Sequence, residues 1–103
     1  MKHELSLAGD FGSQLADGEA ASRYRMANIE PCLDLCEQVV LDFTGVRSAN
    51  SSFVNALVAG IVEQHGSAVL QKIVFKGCTP VIRVLVESAI SLGLRKIDRR
   101  VDA

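Results

Sequence analysis

A parallel strand covered on both faces needs a near-continuous apolar run, and Val39–Phe43 is one. A turn carrying Gly45 follows it, and Asn50–His65 then changes to helical spacing. Val54, Leu57, Val58 and Ile61 fall at i, i+3, i+4 and i+7. Phe53, Ala56 and Val62 extend that apolar surface around much of the cylinder, and Gly66 is a natural C-terminal cap. Val69–Phe75 reads as a second buried strand. Thr79 and Pro80 open another helix, with Thr as N-cap and Pro at the first helical position. This order implies right-handed crossovers and helices packed on a central sheet.

The flanking segments extend the pattern. Glu4–Ala8 alternates weakly, as an edge strand does. Gly9, Asp10, Gly12 and Ser13 make the next piece turn-like. Asp17–Asp34 predicts a helix: Asp17 as cap, Glu19 in the first turn, and a stripe of Ala20, Ala21, Tyr24, Ala27 and Ile29. Pro31 strains that helix or ends it. In the helix after Thr79, the expected inner face is Val81, Val84, Leu85, Ser88, Ala89 and Leu92, with Arg83 and Glu87 outside and Gly93 as the stop. Leu94–Ile97 reads as a last strand, and 98–103 as a charged, frayed tail. The 103 residues, 49% of them hydrophobic, suit one compact domain. The expected fold is therefore α/β: a single domain over 1–103, its core at about 17–98, with a central mixed or parallel sheet of about four strands.

Charge and composition exclude several functions. A formal net charge of −1 provides no basic field for nucleic acid, and four Phe with one Tyr form no stacking platform. Cys32, Cys36 and Cys78 are too few and too loosely spaced for a disulfide framework or a zinc site, so they read as reduced thiols of a cytosol. MKHELSLAGD has no apolar run of signal-peptide length, and no stretch approaches the roughly 20 apolar residues that span a bilayer. The expectation is a cytoplasmic protein with no membrane insertion.

Asn50, Ser51 and Ser52 stand where a helix begins. One such residue can cap the helix by accepting an orphan N–H; three leave some unexplained. A helix N-terminus also favours an anion, and it tolerates a phosphoryl group on Ser51. Ser51 is a poor nucleophile. His65 lies near the far end of the same helix, roughly 20 Å away at 1.5 Å per residue, and His3 is near the terminus. Cys78 precedes a helix N-terminus, but only four residues separate it from Arg83 and no glycine-rich cradle lies between them. No phosphate-binding glycine loop occurs. Asp42 has no acidic neighbour for a metal cluster, and its expected work is to accept hydrogen bonds at the strand end. Asp10, Asp17 and Glu19 are too scattered to pair as acid and base. No enzyme, metal or cofactor is expected. The apolar helix after Ser52 needs cover on a second side, from another element or from a partner.

The run LDFTGVRSANSSFVNAL resembles the signature of STAS domains, named for sulfate transporters and anti-sigma-factor antagonists. That signature is an apolar strand, Asp, an apolar residue, a turn with Gly and Val, then Asp-Ser-Ser/Thr-Gly opening a helix. Here it runs without a gap through Asp42, Gly45, Val46, Asn50, Ser51, Ser52 and Phe53. Asn50 stands in place of Asp, and Phe53 in place of Gly. The Ser-Ser-Phe form, with Ala21, Ser22 and Arg23 on a preceding helix, looks like a STAS-like branch of uncharacterised bacterial proteins, often encoded near or fused to histidine-kinase-like ATPase modules. The resemblance is strong over 36–64 and looser over 17–98.

The resemblance implies a non-enzymatic regulatory domain of the anti-sigma-factor-antagonist type. It implies docking on a histidine-kinase-like ATPase or anti-sigma partner through Asp42, Asn50, Ser51, Ser52 and Phe53. In phosphorylated members the acceptor is the serine after the signature Asp, which is Ser51 here. One alternative is a structural or transporter-associated adaptor, in which the serines only cap and the apolar helix makes the contact. Another is a small-ligand or nucleotide sensor at the strand-end crevice.

Overall fold

The computed structural model describes the backbone of residues 2–101 and side chains as far as Asp98; Met1, Asp102 and Ala103 lie outside the described residues. The chain runs β1 (Lys2–Ser6), α1 (Leu7–Phe11), β2 (Gln14–Leu15) and α2 (Gly18–Tyr24). A π-helical turn, Arg25–Ile29, joins α2 to α3 (Glu30–Leu33). Then come β3 (Gln38–Asp42), β4 (Ser48–Ala49), α4 (Ser51–Val54), a second π-helical turn (Asn55–Ala59) and α5 (Gly60–His65). A 3-10 turn over Ser67–Gln71 leads to β5 (Ile73–Lys76) and α6 (Pro80–Val101).

β1, β3 and β5 form one parallel sheet in the order β1-β3-β5. β3 is central, and Val39, Val40 and Leu41 are all buried, as a strand covered on both faces requires. β2 and β4 pair separately as a short parallel ladder. The expected sheet of about four strands is thus three strands plus a two-stranded ladder. Leu94–Ile97 is helical, because α6 runs on through Gly93 instead of stopping there. At Gly93 a Cβ would lie 2.8 Å from the Val62 Cβ and 3.0 Å from the Ala59 carbonyl. The glycine is the place where two helices touch, not the end of one. The same helix carries 98–101, which were expected to be a frayed tail; 102 and 103 lie outside the described residues.

Other expectations shift by a few residues. Val69–Gln71 belongs to the 3-10 turn, closed by Lys72 N–H donating to the Val69 carbonyl at 2.9 Å, so β5 starts only at Ile73. Gly9 and Asp10 lie in α1, which Ser6 caps by accepting the Gly9 N–H at 3.1 Å. Pro31 sits at the start of α3, where its missing N–H costs little. On α6 the buried face is Ile82, Val86 and Ala89, whereas Val81 and Val84 are exposed. Of the expected inner face, Ala89 is buried and Leu85 and Leu92 pack against the core, while Val81, Val84 and Ser88 face outward. The caps Asp17, Thr79 and Gly66 are as expected. Among the described residues, no helix is long and apolar enough to cross a membrane.

Helix 51–65 lies in the middle of this architecture. Phe53, Val54, Leu57, Val58, Ala59, Ile61 and Val62 are all buried. The sheet, helix 18–33 and α6 supply the cover that its sequence demanded. Of the two expected sources of cover, another element or a partner, the structure supplies the first.

One polar crossing joins the two π-helical turns. Arg25 is buried; its Nε donates to the Ala56 carbonyl at 3.0 Å, and its Nη1 lies 2.5 Å from Glu30 Oε2. The other Glu30 oxygen is 3.2 Å from His65 Nε2. Gly60 N–H bonds to the Asn55 and Leu57 carbonyls, and a Cβ at Gly60 would sit 2.5 Å from Arg25 Nε. A π-helical turn and a missing side chain together admit the guanidinium. Breaking a buried pair by removing one partner leaves a charge uncompensated. Glu30→Gln is expected to lower the unfolding free energy by about 3 kcal/mol, measured by urea denaturation. An unchanged midpoint would show that water serves Arg25 as well as the carboxylate does.

Candidate functional site

The β2–β4 ladder sets Leu15 beside Ala49, and so brings the approach to α2 against the approach to α4. Asn50 locks the two together. It is the N-cap of α4, and its Oδ1 accepts the Phe53 N–H at 2.9 Å. Its Nδ2 donates to the Ala16 carbonyl at 2.9 Å, and its own N–H donates to the Leu15 carbonyl at 2.9 Å. The next residue on the other strand of the approach, Asp17, caps α2 by accepting the Glu19 and Ala20 N–H groups at 3.0 and 3.2 Å. A Cβ at Gly18 would fall 2.5 Å from Ser52 Oγ, so two helix N-termini abut with no side chain between them.

Ser51 and Ser52 are exposed, and among the described residues neither hydroxyl has a hydrogen-bond partner. Phe53 points the other way. It is 1% exposed, its ring centroid lies 5.0 Å from that of Phe11 at 87°, and Phe11 meets Tyr24 at 4.9 Å. The Tyr24 hydroxyl donates to Asp10 Oδ2 at 2.5 Å; burial, with that carboxylate beside it, pushes the phenol well above its usual range. Phe53 was expected among the partner-binding residues. It is instead the aromatic anchor that seats α4 on the core.

Asp42 belongs to a different group. Its Oδ1 accepts the Thr44 N–H at 2.9 Å. The Thr44 hydroxyl and N–H hold the carboxyl below the usual range; desolvation opposes them, and Lys76 adds to the lowering. Cys78 lies at the same strand ends. Burial pushes its thiol up, Arg83 pulls it down and Asp42 raises it further, so the net direction is opposite to that of an activated nucleophile. Cys32, one turn from Cys36, is pushed up by burial and by the neighbouring thiol. Of the five residues assigned to docking, the structure gathers Asn50, Ser51 and Ser52 on the surface, buries Phe53 beneath them, and sets Asp42 with Thr44 and Lys76.

A family model described as the STAS-like domain of unknown function (DUF4325) matches residues 26–83. The chain belongs to this family. The match covers β3, helix 51–65, β5 and the first turn of α6, and so Asp42 and residues 50–53; Ala16, Asp17 and Gly18 lie outside it. Comparisons with curated proteins and with solved structures find no match.

Within this STAS-like domain, the geometry explains why residue 50 is an amide. An aspartate also caps a helix, but it has no N–H to give to Ala16. Asn50→Asp is expected to cost about 1–2 kcal/mol, because it sets a carboxylate against a carbonyl. Urea unfolding of the variant checks this, and a wild-type midpoint would show the Ala16 contact to be idle. Asp42 predicts a pH effect. Its folded carboxyl titrates below the unfolded one, so its contribution is present above the usual carboxylate range and is lost as pH falls through the lowered value. Asp42→Asn is expected to flatten that part of the acid limb, read from urea midpoints between neutral pH and about pH 3.

Proposed function

We propose that this STAS-like domain is a non-enzymatic regulatory module of the anti-sigma-factor-antagonist kind, docking through the first turn of helix 51–65 and switched at Ser51. The observation that carries the reading is the Ser51 hydroxyl, exposed and unpartnered among the described residues, on the first turn of a helix whose cap is already supplied by Asn50. Capping needs only Asn50, so the two serines are left for another use. Ser52 lies against Gly18, which leaves Ser51 as the open hydroxyl. The N–H groups of the first turn favour a phosphoryl group there. Its charge of about −2 would change what the surface can bind. The partner in this reading is a histidine-kinase-like ATPase or an anti-sigma regulator in a bacterial cytoplasm, a reducing compartment that suits three free thiols.

Protein purified from its native cells is expected to carry one phosphoryl group, mapped by fragmentation to Ser51 and absent from Ser51→Ala. The kinase-like partner is expected to bind Ser51→Ala at least about tenfold more tightly than Ser51→Glu. A chain unmodified through growth phases and stress, with both variants bound alike, overturns the reading.

A further inference from the structure

The sheet ends at β5, and that edge is open. Val39 and Phe43 N–H groups donate to the Lys72 and Lys76 carbonyls at 2.8 and 2.7 Å, so residues 72, 74 and 76 turn their main-chain groups toward β3. Backbone direction alternates along a strand, so Ile73 and Phe75 present their N–H and C=O groups to the other side. Among the described residues, no strand pairs there. The segment expected to supply a further strand, Leu94–Ile97, is part of α6. A cleft of about 440 Å³ lies along this edge, between β5 and α6, lined by Phe75, Arg83, Val86, Glu87 and Ile90. Unpaired edge groups beside such a cleft are a template for another strand.

The charges in the cleft identify the occupant. Arg83 and Glu87 are one helical turn apart on α6 and both line the cleft, and among the described residues neither has an ion pair. A contact with two-fold symmetry requires a patch complementary to itself. An Arg and a Glu one turn apart meet that requirement, because the axis sets each Arg against the other copy's Glu. An antiparallel strand edge meets it as well, since each donor meets an acceptor of the same segment. In the register that sets Ile73 opposite Phe75 of a second copy, Val74, 36% exposed, meets its own counterpart at the axis. Lys72 would then oppose Lys76, but its Nζ is turned away to the Leu33 carbonyl at 2.6 Å. A formal net charge of −1 opposes self-association only weakly.

We propose that the chain forms a two-fold homodimer by antiparallel pairing of β5 with β5 of a second copy, making one six-stranded sheet, with Arg83 of each copy against Glu87 of the other. This surface is separate from the first turn of helix 51–65, and the proposal stands independently of any role for Ser51. Sedimentation equilibrium of the full chain over a range of concentrations tests it. The wild type is expected to be dimeric. Arg83→Glu and Glu87→Arg, both at exposed positions, are each expected to weaken the dimer at least about tenfold by opposing like charges. The double swap, Arg83→Glu with Glu87→Arg, is expected to restore it to within about threefold. A monomer at every concentration overturns the proposal, and so does a dimer that the single swaps leave unchanged. A chain that stays monomeric and instead takes up a foreign extended peptide along β5 overturns it too.

Discussion

Burial of helix 51–65 on three sides is the constraint on which the rest of the molecule depends. The sheet supports it, helix 18–33 flanks one side, and α6 passes close on the other. A helix this enclosed has little room for polar side chains, which is why its sequence is apolar around most of the cylinder. Close contact on both flanks is bought with missing side chains: Gly93 where α6 crosses, Gly60 where Arg25 crosses, Gly18 where α2 begins. The exposed positions lie at its two ends: Asn50, Ser51 and Ser52 where it starts, Gln64 and His65 where it finishes. Asn50, Ser51 and Ser52 are what remains exposed at the start of an otherwise internal element.

Much of this was legible in the residues. The unbroken run at 39–43 marked the central strand, and Asp17, Thr79 and Gly66 marked helix ends, because caps act through neighbours only a few positions away. What could not be read depends on contacts distant in sequence. A piece as short as Leu94–Ile97 has no local property that separates strand from helix; it is helical because α6 continues through Gly93, packed against Val62 and Ala59 of another helix. The first turns of α6 were misread for the same reason, although Leu85, Ala89 and Leu92 were placed correctly. Val81 and Ile82 are equally apolar, and only packing selects Ile82.

The site was legible to a similar depth. Asn50, Ser51 and Ser52 were found by residue type and position. Phe53 was placed on the wrong side, because the family signature has a glycine there, and a glycine gives no sense of direction. The role of residues 15–18 was hidden, since the only signal for it is Asp17, which already had a sufficient reason to exist as a cap. Arg25 and Glu30 had no signal: a charged pair five positions apart on a helix looks like any solvated surface until the opposite helix is in place.

The sheet's register has a consequence for how the chain reaches this state. Lys2 pairs with Gln38, and Val39 with Ile73, so every ladder contact of the main sheet encloses a whole crossover. The main sheet has no hairpin that could form early and hold its place. A growing chain has no pair to make until the central strand has been synthesised, and its second pair waits for β5. A fragment cut just before Gln38 would keep β1 without its neighbour, and the remainder would keep β3 and β5 without β1. The main sheet can be completed only around its middle strand, once both neighbours exist.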